Sequence, residues 1–267
     1  MELSGRSALL TGATGGLGRA MAAALAGRGA RLILSGRNAG ALEALAAELP
    51  GDGHGSIAAD LAEPGAAEQL AEEAGDVDIL VANAGLPGSG RLTEFPPEQL
   101  TRRLRVNLEA PMLMARALCP AMLERGSGHL VFISSLSGKV ASPLSSVYCA
   151  TKFGLRGFAF GLRADLAPRG VGVSVVSPGF IRDAGIFADS GAKPPLGMGT
   201  ASPAQVGAGV VKAIERDKVE VVVAPPQVRA MSHFALAAPS IGIRAQSGAT
   251  GQRAAKAVAD GQPPDKP

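Results

Sequence analysis

Tryptophan is absent from this chain of 267 residues, Tyr148 is its one tyrosine, and aromatic residues make up only 3% of it. With hydrophobic residues at 46%, the core has to be filled by Ala, Val, Leu and Ile rather than by rings. Cysteine is scarce too. Cys119 and Cys149 make no disulfide framework and read as small buried thiols, which points to the cytoplasm. The three histidines, His54, His129 and His233, stand far apart without ligand spacing, so no metal site is expected. No uncharged apolar run reaches the roughly 18 residues of a membrane helix, and no signal peptide is read at the N-terminus. The net charge of +3 is spread along the chain instead of forming a stripe, which argues against a nucleic-acid partner.

What is present is an alternation. Short apolar runs at 7–10, 31–34, 55–58, 79–82, 129–133, 172–176 and 219–223 read as strands. Alanine-rich stretches near 16–28, 39–49, 63–74, 97–123, 147–167 and 203–216 read as helices. Apolar strands alternating with helices imply an α/β fold, a doubly wound parallel sheet of about seven strands covered on both faces. Ligands of such a sheet bind beyond the carboxyl ends of its strands. Residues 1–225 are expected to form one domain. A Gly- and Pro-rich loop at 180–202 reads as a lid or substrate loop. Residues 226–267 read as a C-terminal extension. Its apolar part, with Met231, Phe234, Leu236 and Ile241 and interrupted by Pro239, could cap a pocket, pack between subunits or touch a membrane surface; the tail from Gly261 to Pro267 is expected to be disordered.

The first strand runs into Thr11-Gly12-Ala13-Thr14-Gly15-Gly16-Leu17-Gly18 and then a helix. Glycines let backbone approach a pyrophosphate without a Cβ in the way, and the helix N-terminus offers free N–H groups. This is the expected cradle of a dinucleotide. An acid about 20 residues beyond the glycines would bind the adenosine ribose of NAD. Here Gly36 and Arg37 stand at that place. Arg37 could grip a 2′-phosphate, so NADP(H) is favoured with NAD(H) possible; otherwise Arg37 is a solvated turn residue. Asp60, before Leu61, either accepts from the adenine amino group or caps the next helix. Asn83-Ala84-Gly85 would let backbone pass close to the adenosine half, and Asn83 can bond turn backbone.

Tyr148 lies four residues before Lys152, and i,i+4 positions share a helix face. An ammonium beside the phenol would lower its pKa and suit it to carbonyl/alcohol proton transfer.

Together these residues resemble the short-chain dehydrogenase/reductase family over roughly residues 5–225. The likeness rests on Thr11-Gly12-x-x-x-Gly16-x-Gly18, Asn83-Ala84-Gly85, Asn107, Ser135, Tyr148-x-x-x-Lys152 and Pro178-Gly179. The resemblance implies an oxidoreductase that interconverts a ketone or aldehyde and an alcohol. It implies Tyr148 as proton donor and base, Lys152 holding the nicotinamide ribose, and Ser135 bonding the substrate oxygen. Asn107 would hold a water that links Lys152 to solvent, or else is a polar residue that kinks its helix. Gly12, Thr14, Gly15, Gly16, Leu17, Gly18, Arg37, Asp60, Leu61, Asn83, Ala84, Gly85, Pro178, Gly179 and Ile181 would line the cofactor site together with Tyr148 and Lys152. It further suggests a homodimer or homotetramer. One departure stands out. The family often has Thr where this chain has Asp183, which leaves anchoring of the nicotinamide amide in question. Phe180, Ile186, Phe187, Leu196 and Met198, with part of the C-terminal apolar stretch, are expected to wall an apolar carbonyl or alcohol substrate. The alternatives are a reductase of carrier-bound 3-oxoacyl esters, docked through Arg91, Arg102, Arg103 and Arg105, and a redox sensor that binds NADP(H) without turnover.

Overall fold

The structure is a computed structural model that describes residues 1–194 and 197–262. In chain order its elements are β1 (Ser7–Thr11), α1 (Gly16–Ala26), β2 (Arg31–Gly36), α2 (Ala39–Glu48), β3 (Gly55–Ala58), α3 (Ala66–Ala74) and β4 (Ile79–Ala82). Then follow α4 (Pro97–Leu104), α5 (Ala110–Glu124), β5 (Gly128–Ile133), α6 (Ser146–Leu166), β6 (Val171–Pro178), α7 (Gly185–Asp189), α8 (Pro203–Glu215) and β7 (Glu220–Val223). Three further helices end the chain, α9 (Pro226–Ala237), α10 (Pro239–Ser247) and α11 (Ala249–Asp260).

The seven strands form one sheet in the order β3-β2-β1-β4-β5-β6-β7, and every pairing is parallel. Period-two alternation divides the strand side chains between two cores. Leu10, Val81 and Val131 face one layer with Met21, Leu25, Val206 and Ile214 of α1 and α8. Leu9, Leu80 and Phe132 face the other with Leu70, Met114 and Leu155 of α3, α5 and α6. A strand buried on both faces must be apolar throughout, which is why these strands stood out as short continuous runs. The strand order reverses between β1 and β4, and a crevice opens there at the carboxyl ends.

One expectation needs correction. The single helix expected over 97–123 is interrupted by a π-helical turn, Arg105–Glu109, between α4 and α5. The apolar stretch of the C-terminal extension, for which capping a pocket was one option, lies in three helices that contribute residues to the crevice. Of the expected disordered tail, Gly261 and Gln262 close α11, and the Gln262 amide oxygen accepts from Ser89 N at 3.2 Å; residues 263–267 lie outside the described residues. The loop at 180–202 carries the short helix α7 and is tied by a parallel bridge between Ile181 and Ala201.

Candidate active site

The glycine turn is shaped by close approach. Gly12 has φ +64°, and a Cβ on it would sit 2.9 Å from Ala84 Cα. A Cβ on Gly18 would collide with the Gly12 carbonyl, and one on Gly16 with the Ala184 side chain. No larger residue fits these three places. The turn is held from across the crevice by Asn83, whose Nδ2 donates to Thr11 O at 3.0 Å and Gly12 O at 3.1 Å. Thr11 Oγ1 in turn accepts from the backbone N–H groups of Asn83 and Ala84, each at 3.1 Å. Asn83 therefore acts on the turn backbone, and Thr11, part of the glycine motif but given no role by it, is a positioning residue.

All the residues expected to bind the cofactor line a single cleft of about 1360 Å³, and Ser135, Tyr148 and Lys152 lie in it too. The volume exceeds the roughly 300–1,000 Å³ of a single-ligand pocket. Phe180, Ile186, Phe187 and Met198 of the substrate loop also line it, and the Phe180 and Phe187 rings meet at 4.8 Å between centroids. Leu196 lies outside the described residues.

Arg37 is exposed at the end of β2, with no hydrogen bond or ion pair among the described residues. Asp60 Oδ1 accepts from Ala62 N at 2.9 Å, closing a local turn, while Oδ2 lies 3.6 Å from Arg102. Asp183 has φ +69°, a conformation Asp tolerates better than most residues, and its exposed carboxylate lies 3.4 Å from Arg182.

The catalytic candidates come from two elements. Ser135 follows β5, and its Oγ accepts from Ser137 N at 3.1 Å while hydrogen-bonding the Tyr148 side chain. Tyr148 lies in the first turn of α6, where the helix dipole favours negative charge. Lys152 lies one turn on and donates to Ile133 O at 2.9 Å, with Nζ 5.7 Å from the Tyr148 ring centroid. Ser134 Oγ donates to Lys152 O at 3.0 Å, pinning α6 to the end of β5.

The expected lowering of the phenol is not found. Burial pushes Tyr148 up to about 12, and the hydrogen bond with Ser135 only partly offsets it. Burial likewise brings Lys152 down to about 8. Sealing a phenolate and an ammonium from water penalises both charges, and burial is the largest influence on each.

Asn107 does not line the cleft. It sits buried in the π-helical turn, its Oδ1 accepting from Leu86 N at 2.7 Å and its Nδ2 donating to Leu86 O at 2.9 Å and Thr151 Oγ1 at 3.3 Å. With its side chain taken up in this way, it has no donor left for a water, and its observed work is to hold the segment after β4 against α6.

The arginines considered for carrier docking are also engaged. Arg103 is buried and donates to Pro87 O at 2.7 Å, Arg102 and Arg91 lie 3.6 Å from Asp60 and Glu94, and Arg105 donates to Ala62 O at 2.9 Å. Among the described residues no group of His, Cys, Asp and Glu could hold a metal, and no helix is long and apolar enough to cross a membrane.

The short chain dehydrogenase family profile matches residues 6–194. Two curated relatives are dehydrogenase/reductase SDR family member 7B of Bos taurus and the ketoacyl reductase HetN of Nostoc sp. The first is 36% identical over 255 residues, covering 88% of this chain and 78% of the relative. The second is 35% identical over 227 residues, covering 83% and 79%. A short-chain dehydrogenase from Sphingobium yanoikuyae in complex with NADPH superposes with a TM-score of 0.77 at 28% identity, covering 90% of this chain and 95% of that one. The chain belongs to the short-chain dehydrogenase/reductase family. It is an NAD(P)(H)-dependent oxidoreductase of the carbonyl/alcohol couple.

Proposed function

We propose that the protein interconverts an apolar ketone and its secondary alcohol with NADP(H) as the dinucleotide. The observation that carries this is the meeting of Ser135, Tyr148 and Lys152 in the same cleft as the glycine turn and the unpaired Arg37. The cradle suits a dinucleotide, because Gly12 and Gly18 let the turn close tightly on itself and against Ala84, which leaves bare backbone at the N-terminus of α1. A nicotinamide bound there supplies or takes up the hydride.

The chain's own groups manage the oxygen and the proton. Ser135 Oγ orients the substrate oxygen and stabilises the charge that develops on it. Tyr148, kept protonated at neutral pH by burial, donates its proton to that oxygen in reduction. Lys152 holds the ribose and places a positive charge near the phenolate left behind, which the dipole of α6 also favours. In oxidation the proton returns to Tyr148. Asn107 fixes the backbone beside Lys152 through its bonds to Leu86 and Thr151. Arg37 would hold the 2′-phosphate, and Asp60 and Leu61 would line the adenosine side of the cleft.

The test is a pair of dissociation constants. NADPH should bind more tightly than NADH, and Arg37→Ala should weaken NADPH by about 10–100-fold, the worth of a charged hydrogen bond, while leaving NADH unchanged. Tighter binding of NADH by the wild type would reject the assignment.

A second reading, supported by likeness to a ketoacyl reductase, is reduction of 3-oxoacyl compounds. Because the candidate docking arginines are engaged, we propose that such a compound is taken free; faster turnover of the carrier-bound form would reverse this. A homodimer or homotetramer in the cytoplasm is part of the same proposal. Leu104, Met112 and Phe153 on α4, α5 and α6 leave exposed apolar surface for an interface.

A further inference from the structure

The helices α9, α10 and α11 contribute fourteen residues to the cleft lining; none is charged, and only Ser232 and Gln246 are polar. Ser232 Oγ is already bonded to Arg229 O at 2.8 Å. Yet the same helices carry Arg229, His233, Arg244, Arg253, Lys256 and Asp260, and every one of these charged or titratable residues is absent from the lining. The three helices thus present an apolar inner face and a charged outer one.

That inner face is continuous with the catalytic cleft. Met231, Phe234 and Ile241 line it while remaining 50%, 59% and 52% exposed, and Ala245, Ala254 and Val258 complete a smooth wall. The hood is anchored beside the site at its far end. Gln262 bonds Ser89 N, and Gly261 packs so closely on Ser190 O that a Cβ would collide with it. A wall of α9–α11 that opens from a carbonyl-handling site and brings no charge to it, facing Phe180, Ile186 and Phe187 with the charges of Asp183 and Asp189 on the opposite loop, fits a flexible hydrocarbon.

We propose that α9–α11 form a chain-binding trough and that the substrate is a long-chain aliphatic carbonyl compound, a single unbranched tail with its carbonyl near one polar end. This rests on the oxidoreductase reading above and narrows it. The exposed halves of Met231, Phe234 and Ile241 are the surface the tail covers.

The test has a turnover arm and a binding arm. In the first, NADPH-dependent reduction is measured for ethyl 3-oxo esters of rising length, from acetoacetate to 3-oxotetradecanoate. The expected result is a kcat/KM that climbs by about fourfold per added methylene, the transfer free energy of one buried CH₂, until the trough is full. Phe234→Asp and Ile241→Asp, both at exposed positions that fold without burying the new charge, should flatten that climb. A flat profile in the wild type overturns the proposal.

In the second arm, a dansyl-labelled undecanoate is titrated into wild type and both variants, with no turnover required. At least tenfold weaker binding by the variants supports the trough, and equal binding overturns it. If no ester is reduced but the probe binding still depends on Phe234 and Ile241, the trough stands and the catalytic reading has failed. If the variants lose only flotation with anionic vesicles while the chain-length profile persists, the face is a membrane contact and the trough is rejected.

Discussion

Tyr148 carries more of the chemistry than any other residue, and its surroundings set two opposed demands. Burial raises the phenol to about 12 and holds the proton on at neutral pH. A base for alcohol oxidation needs the opposite, and the added positive charge of an oxidised nicotinamide would shift the balance. Because the chain has one tyrosine and no tryptophan, the phenolate absorbance band reports this residue alone. In the free protein the band should stay flat through pH 10 and rise only toward about 12; saturating NADP⁺ should lower the midpoint. A midpoint below 10 without cofactor would mean that the lysine outweighs burial after all. Tyr148→Phe should lower kcat by about 10²–10⁴-fold, the usual worth of a positioned acid–base group, with the NADPH dissociation constant nearly unchanged.

At the scale of elements, the C-terminal edge of the sheet depends on one buried cluster. Lys139, with its side chain fully buried, lies 2.9 Å from Glu220 at the start of β7. Arg156 of α6 makes two contacts of 3.1 Å to the same carboxylate, and Ser177 of β6 donates to it at 3.0 Å. Burial alone would raise Glu220, but the bonds from Arg156 and Lys139 hold it below the usual carboxylate range. Glu220→Ala would strand the Lys139 ammonium in the interior, so a loss of about 3–5 kcal/mol is expected. Adding Lys139→Met should recover much of it, since the orphaned charge rather than a lost attraction is the main penalty. Urea unfolding of the singles and the double checks this, and additive losses would count against it. The strands of this edge were legible in the sequence as valine-rich runs, buried in β6 and half-buried in β7. The π-helical turn at Arg105–Glu109 was not, because one extra residue in a helix leaves no mark on composition. The helices α9 and α10 did leave one: Pro226 and Pro239 stand at their first positions, where proline is well suited, although Pro239 reads in isolation as an interruption. In the site, Gly12 to Gly18 and Tyr148 with Lys152 were legible because each set is local in the chain. Thr11 bonding Asn83, Arg102 beside Asp60 and the helical hood were not, because these meet only through the fold.

Across the whole molecule, stability should fall on acidification in two stages with separate causes. His129 on β5 is buried, with Nε2 2.8 Å from Ser174 Oγ. Burial brings it down to about 4, and Asp217 nearby opposes this only in part. Since the unfolded chain binds a proton near 6.5, protonation favours unfolding, and the stability lost between pH 6.5 and 4 is roughly 3 kcal/mol from this one residue. Glu220 and Asp217 act later. Asp217 is held low chiefly by Arg163, which it meets at 2.8 Å through both carboxylate oxygens. A depressed carboxylate stabilises the fold above its unfolded value, near 4.5 for Glu220 and 3.8 for Asp217, and that contribution goes as pH falls through the folded value. The urea midpoint should therefore be level at pH 7 and above, decline between 6.5 and 4, and drop more steeply below. His129→Gln keeps a neutral polar group at the site and cannot be protonated, so it should erase the first stage and leave the second. A variant that declines over the first window as the wild type does would show that the buried imidazole is not its source.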